Sequence, residues 1–360
     1  MSSFGSFLIK VLGSTFNMIN GASVWIVISF AIAGVLHELL DTSRLRSSAI
    51  CSKKFSGVFF STISGMMIPV CSCGSIPLGI GLYHSGAYLG PTLAFMTSCP
   101  MINPISIILA YGLLGKEIAT VYVLTGLLAP LVIGTIANRV AGPELHLPER
   151  EDAGQRISVT MAKQPLLQRL KSGMRWSFGE LAVMVSKYTV TGMLITSFLF
   201  NIVPQSYIQR YLGDPGLISL FGITIIASLM YVCAVGHIPM IAAIVASGAA
   251  PGVAITFLMA GAATNFSELL TINRTIGKRA MTMYFILVVL ISNAVGYLTN
   301  RLFKDFKPVL DYDEATHSIS AANHFIFDGP AWISYLCSAV IVGCAVWALV
   351  RFVRKKMHTA

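Results

Sequence analysis

Apolar blocks of about twenty residues recur along the chain, separated by short polar or basic connections; a run of that length is what an α-helix needs to cross roughly 30 Å of hydrocarbon. The pattern predicts spans at 22–40, 118–138, 176–203, 215–232, 252–273, 280–299 and 331–350. Residues 4–19 are only mildly apolar and are expected to form a surface or partial helix. The block 55–115 is long enough for three crossings, or for two crossings plus a re-entrant piece. No stretch of the first thirty residues has the charged start, short apolar run and small-residue cleavage site of a secretory signal, so the first span is expected to act as its own insertion signal. The fold class expected is an all-α polytopic membrane protein.

A fixed offset of 162 superimposes two stretches of the chain without a gap: "CSCGSIPLGIGLYHSGAYLGPTLAFMTSCPMINPISIILAYGLLGK" from Cys71 lies over "CAVGHIPMIAAIVASGAAPGVAITFLMAGAATNFSELLTINRTIGK" from Cys233. Twelve of the 46 positions are identical, among them Cys71 with Cys233, Gly74 with Gly236, Pro77 with Pro239, Asn103 with Asn265 and Gly115 with Gly277. Chance in so apolar a composition would give roughly four. The chain is therefore expected to carry two structural repeats, divided as 1–138 for the first transmembrane repeat, 139–175 for a cytoplasmic linker and 176–300 for the second repeat. An external loop at 301–329 and a C-terminal transmembrane helix with a basic tail at 330–360 follow, the last without a repeat partner.

Charge bears on the direction of the repeats. The chain is 11% charged with a net charge of +10, and its Lys and Arg residues cluster in the connections, where orientation rules put them. That distribution points to topology and not to nucleic acid. An inverted arrangement places 18 basic residues inside and 5 outside, whereas a parallel one places 13 inside and 10 outside. Inverted repeats are therefore favoured, with a cytoplasmic C-terminus.

In each half the helical pattern breaks twice, at "CSCGSIP" and "SCPMINP" in the first and at "CAVGHIP" and "GAATNFSE" in the second. The breakers are Gly74, Pro77, Pro100 and Pro104, then Gly236 and Pro239. Irregular backbone at membrane depth is tolerated where it is buried in protein or lines a cavity, and interrupted segments at matching places in two halves point to a transport site. Kinks that serve packing are the competing reading. Asn103 and Asn265 are placed to cap half-helices or to hold a solute. Glu268, where the first repeat has Ser106, is an acid inside a span and a candidate for ion or proton coupling. Lys187 is a candidate partner for that charge, and His237 a candidate proton relay, with an ordinary hydrogen-bonded role equally open.

Cys71 and Cys73 precede the first break and Cys99 directly precedes the second, so three sulfurs could converge on one solute. Thiols are soft ligands that suit Cu(I) and, by the same argument, trivalent arsenic. They also serve as small polarizable core residues. Cys233 alone is retained in the second half, so a soft site would be asymmetric. Cys337 and Cys344 on the last span read as packing residues.

The segment "PVCSCGSIPLGIGLYHSGAYLGPTLAFMTSCPMINPISIILAYGLLG" resembles the signature of the ArsP or YraQ-like bacterial permeases, in which a Cys-x-Cys-Gly-x-x-Pro break is followed by a small-residue turn and a second break ending in Pro. The resemblance implies a permease. By analogy with members that export trivalent organoarsenicals, it also implies that Cys71, Cys73 and Cys99 contact a thiophilic solute and that ion or proton exchange drives export. The chain has no G-x-x-x-x-G-K-[ST] motif, so ATP would have to come from a partner. The expectation is a secondary transporter and not an enzyme, without a cofactor or a resident metal, whose partners are the lipid bilayer and a small-molecule substrate. Nothing in the sequence indicates an oligomeric state. A permease for a small inorganic or sulfur-containing anion is the main alternative, and a thiol-redox membrane protein the second.

Overall fold

The computed structural model describes residues 2–39, 52–68, 72–84, 86–145, 166–202, 216–230, 232–246, 249–303 and 330–357, and all secondary structure among them is helical. In chain order the helices are α1 (Ser2–Leu39), α2 (Phe55–Met67), α3 (Ser72–His84), α4 (Leu89–Met101), α5 (Pro104–Val140), α6 (Leu166–Trp176), α7 (Ala182–Ile202), α8 (Leu217–Leu229), α9 (Ala234–Ala246), α10 (Pro251–Ala263), α11 (Phe266–Thr275), α12 (Lys278–Leu302) and α13 (Ala331–Met357). A π-helical turn, Ser177–Leu181, joins α6 to α7. Among the described residues six helical stretches are long and apolar enough to cross a membrane: Gly5–Val35, Pro104–Val140, Leu170–Phe198, Pro251–Thr275, Lys278–Leu302 and Ala331–Arg351.

Two expectations from the apolar pattern are corrected. Residues 4–19 are not a separate surface helix but part of a single α1 of 38 residues. Its buried positions Val11, Thr15, Ile19, Ser23, Ile26, Phe30 and Ala33 recur every three or four residues straight through the join, so one helical face packs along its whole length. Thr15 sits in that stripe because its hydroxyl donates to the Val11 carbonyl at 2.8 Å. The stretch 215–232 is not a full crossing either. Helix α8 ends at Leu229 after 13 residues, where Met230 turns extended, and 13 residues reach only about 20 Å.

Five other helices repeat that shortness or its surroundings in matched pairs. Adding 162 to the ends of α2, α3 and α4 gives the ends of α8, α9 and α10, all of 13 residues. The same shift carries α5 onto α11 plus α12, and Gly115 inside α5 onto Gly277 between them. Gly115 has φ 81 and ψ 160, and Gly277 φ 145 and ψ 162. That region is essentially reserved to glycine, which is why each half reverses at this residue.

Contacts give the directions. Ser61 on α2 donates to the Pro91 carbonyl at 2.7 Å, Gly65 lies against Phe95 and Ser98, and the Cys99 sulfur reaches the Ile68 carbonyl. Helices α2 and α4 therefore run in the same direction and end side by side. Helix α3 returns along α4, with Gly79 against Met96. Beyond the break at Ile102 and Asn103, residues 104–114 lead to Gly115, and residues 116–140 come back along α4, so that Tyr122 meets Met101 and Asn138 meets Gly90. Residues 116–140 span about 37 Å. The start of α12 lies at their far end, where Arg279 donates to the Val140 carbonyl at 2.9 Å.

Every residue of α4 and of α10 is buried, so these two half-length helices form the centre, as helices apolar all round should. Helix α13 packs on α1 and α7 and exposes Trp332, Tyr335, Leu336, Trp347 and Leu349, which marks it as peripheral.

Candidate functional site

The ends of α2 and α4 lie next to each other, and so do the ends of α8 and α10. In the first half Cys99, fully buried on α4, points its sulfur at the Ile68 carbonyl 3.9 Å away, at the end of α2. In the second half Ser228 and Thr264, at the corresponding ends, share a hydroxyl hydrogen bond of 3.1 Å.

The half-helices that follow the second breaks begin alike. Asn103 accepts from the Ser106 amide at 2.9 Å, and Ser106 Oγ accepts from the Asn103 amide at 2.9 Å, a complete capping box. Pro104 occupies the first helical turn, where its missing N–H costs nothing. In the twin, Asn265 accepts from the Glu268 amide at 2.9 Å, and its side-chain amide donates to Glu268 Oε2 at 3.4 Å. Asn103, Ser106, Asn265 and Glu268 are all buried, so two helix N-termini, each a centre of partial positive charge, end inside the protein.

Two tyrosines close the arrangement. The Tyr122 hydroxyl donates to the Met101 carbonyl, and the Tyr284 hydroxyl to the Ala263 carbonyl at 2.6 Å. Those carbonyls belong to the last residues of α4 and α10, which have no partner inside their own helices. Tyr284 Oη also lies 3.3 Å from Glu268 Oε1. Ser106 stands in the first half where Glu268 stands in the second. The halves also pack on each other, α5 against α9 and α12, and α4 against α10.

The other expected site residues fall as follows. Cys71 lies outside the described residues, and Cys73 and Gly74 lie in the first turn of α3. Pro77 and Pro239 lie one turn inside α3 and α9, and Pro100 lies in the last turn of α4. Gly236 lies within α9, whereas the chain is irregular just before it. Cys233 is half-buried at the entrance of α9. His237 turns back on its own helix start, its Nδ1 lying 2.9 Å from the Cys233 carbonyl and 3.2 Å from the Cys233 amide. The Lys187 ammonium lies 5.4 Å from the centre of the Tyr188 ring. The Tyr188 carbonyl accepts from Ser267, next to Glu268, at 2.6 Å.

Tyr122, Tyr284, Asn138 and Asn300 were not expected. Asn138 accepts from the Gly90 amide at 2.8 Å and Asn300 from the Gly252 amide at 2.7 Å, fastening the starts of α4 and α10. The signal was present: the offset of 162 continues past Lys116 and Lys278 through the identities Thr120 with Thr282, Tyr122 with Tyr284, Gly134 with Gly296, and Asn138 with Asn300.

A family model described as ArsP_1, predicted permease, matches residues 10–301. The chain belongs to the ArsP_1 family of predicted permeases. It is a multi-pass membrane protein of a predicted permease family, which implies a transporter rather than an enzyme. Similar proteins include the UPF0718 protein MJ0584 of Methanocaldococcus jannaschii, 22% identical over 335 residues, covering 78% of this chain and 92% of the relative. UPF0718 protein YcgR of Bacillus subtilis is 26% identical over 270 residues, covering 74% and 89%, and UPF0718 protein YraQ of Escherichia coli is 24% identical over 143 residues, covering 37% and 41%. No solved structure matches. The matched region of the ArsP_1 model takes in both sets of broken helices and stops short of α13.

Proposed function

We propose that this ArsP_1 permease is a secondary transporter built from two inverted repeats, with its solute site between the two pairs of helix breaks. The observation that carries this reading is the duplicated centre, in which two buried, Asn-capped half-helices each stand beside a tyrosine that holds the end of the preceding half-helix. Paired discontinuous helices are how many transporters expose backbone and dipole ends to a solute at membrane depth.

The inverted direction is supported by the ends of α5. Gly115 begins the long return 116–140, whereas Arg279, two residues beyond Gly277, bonds the last residue of that return, Val140. The two equivalent reversals therefore lie about 37 Å apart along α5. On this reading α2 with α3, and α8 with α9, are re-entrant hairpins entering from opposite faces. Residues 41–54, 139–175, 274–279 and the C-terminal tail then face the cytoplasm, in agreement with their Lys and Arg content. The domain division 1–138, 139–175, 176–300, 301–329 and 330–360 is kept, in a bacterial inner membrane.

The solute proposed is thiophilic, with trivalent organoarsenicals as the first candidates for export. Its support is the placement of Cys99, whose sulfur lies at the Ile68 carbonyl at the end of α2, three residues before Cys71 in the sequence. Asn103 and Asn265 hold the half-helix ends, Cys233 contributes the asymmetric thiol of the second half, and Glu268 carries the coupling charge. Lys187 and His237 are assigned to its surroundings. In an arsenic-sensitive bacterial host, the wild-type chain is expected to raise tolerance to methylarsenite and phenylarsenite, and Cys71→Ser with Cys73→Ser to abolish the gain. Unchanged tolerance in that double variant, at equal membrane abundance, sinks the thiophilic assignment.

A further inference from the structure

We propose that Tyr284 is a positioning residue that couples the charge on Glu268 to the end of α10, moving one phenolic hydrogen bond between the Ala263 carbonyl and the Glu268 carboxylate. The inference rests on the reading of Glu268 as the coupling group and adds how its proton is felt by the fold.

The argument is a count of protons. Tyr284 Oη stands 2.6 Å from the Ala263 carbonyl and 3.3 Å from Glu268 Oε1, and a phenol has one proton to give. A carbonyl brings none, so the short contact uses the phenolic proton. The longer contact, in which the phenol can do no more than share that proton with Glu268 Oε1, is the weaker of the two. On this proposal Glu268 is protonated in this arrangement and leaves the phenol to the carbonyl. When that proton leaves, to water or to a basic atom of an entering solute, Oε1 becomes an ionised acceptor. Hydrogen bonds to an ionised group are roughly twice as strong as neutral ones, so the phenol turns to the carboxylate. The Ala263 carbonyl, the last of its half-helix, is released as an acceptor inside the site. Reprotonation of Glu268 restores the first arrangement.

The first half supplies an internal control. Tyr122 holds the Met101 carbonyl in the same way, but Ser106 replaces Glu268, and its hydroxyl is committed to the Asn103 carbonyl at 2.9 Å. Ser106 cannot take a charge, so the Tyr122 latch is fixed and the Tyr284 latch is switchable. Other titratable groups on these and the packed elements lie as follows. Arg274 ends α11 and Lys278 begins α12, Arg279 bonds the Val140 carbonyl, and Arg301 bonds the Tyr297 hydroxyl. Lys187 on α7 lies over the ring of Tyr188, Tyr83 on α3 donates to the Glu144 carbonyl, and His84 packs on Trp176. On α5, Tyr111 pairs with Thr120, while Lys116, Glu117 and Arg139 lie towards the two ends of the long return 116–140.

The test is infrared difference spectroscopy of the full chain in liposomes across a pH titration, following the carboxylic C=O band that Glu268→Gln removes. Wild type is expected to lose this band as pH rises, together with a change in a tyrosine C–O band. Tyr284→Phe should displace the titration to higher pH, because the carboxylate loses its hydroxyl donor, and should abolish the tyrosine change. Tyr122→Phe should do neither. A Glu268 band that titrates identically in wild type and Tyr284→Phe, or that moves as much in Tyr122→Phe, overturns the latch while leaving Glu268 as a proton carrier. Absence of any titrating Glu268 band overturns the coupling reading itself. Should Tyr284→Phe not fold, the wild-type tyrosine change decides: it must accompany the carboxyl band and vanish in Glu268→Gln, and a carboxyl band titrating without it overturns the latch.

Discussion

Tyr122 and Tyr284, 162 positions apart, make the same hydrogen bond, each to the final carbonyl of a buried 13-residue helix, Met101 or Ala263. Both phenols are fully buried. Removing either hydroxyl strands a carbonyl away from water, which costs about 1–3 kcal/mol. Tyr122→Phe and Tyr284→Phe are each expected to lower stability in detergent by that amount, read as a fall in melting temperature. A melting temperature unchanged in both would show that these bonds do not hold the half-helices.

Asn103 and Asn265 offer a comparison within one molecule. Loss of an N-cap side chain costs about 0.5–2 kcal/mol. In the first half Ser106 still has its own bond to the backbone amide of residue 103, whereas in the second half Glu268 has no such bond and would lose its amide partner. Asn265→Ala is therefore expected to be the more damaging, and Asn265→Asp to be worse than Asn103→Asp because it sets a second acid beside Glu268. Equal effects in thermal denaturation would count against this.

Gly115 and Gly277 should resist substitution for conformational reasons. A Cβ at Gly115 would meet nothing within 4 Å, so space is not the constraint; the positive φ is. Placing a non-glycine residue in this region costs of order 1–3 kcal/mol. Gly115→Ala and Gly277→Ala are expected to reduce folded yield by similar factors, measured by fluorescence-detected size exclusion. Wild-type behaviour of Gly115→Ala would mean that the reversal can be made another way.

The two ends of α5 lead to a topology experiment. A cysteine placed in 303–329 and one placed at Lys116 should be labelled from outside intact cells by a membrane-impermeant maleimide, in a background lacking the native cysteines. Cysteines placed in 41–54 or 139–175 should not. Labelling of 139–175 from outside would defeat the inverted arrangement.

The sequence by itself determined that the chain is helical and membrane-spanning, that it carries two related halves at an offset of 162, and that each half is interrupted twice at matched places. These features follow from apolar content, from Gly and Pro, and from identities such as Asn103 with Asn265, all of them local or countable. Only the tertiary structure decided that α2, α3 and α4 are three half-length helices side by side and that α8 stops at 13 residues. A segment enclosed by protein and lipid is largely apolar on every face, so hydrophobic pattern cannot distinguish a full crossing from half of one. The same holds for the pairing of Tyr284 with Glu268 and Ala263. Residues 16 and 21 apart in sequence meet there because the chain reverses at Gly277, a consequence of packing that no spacing along the sequence expresses.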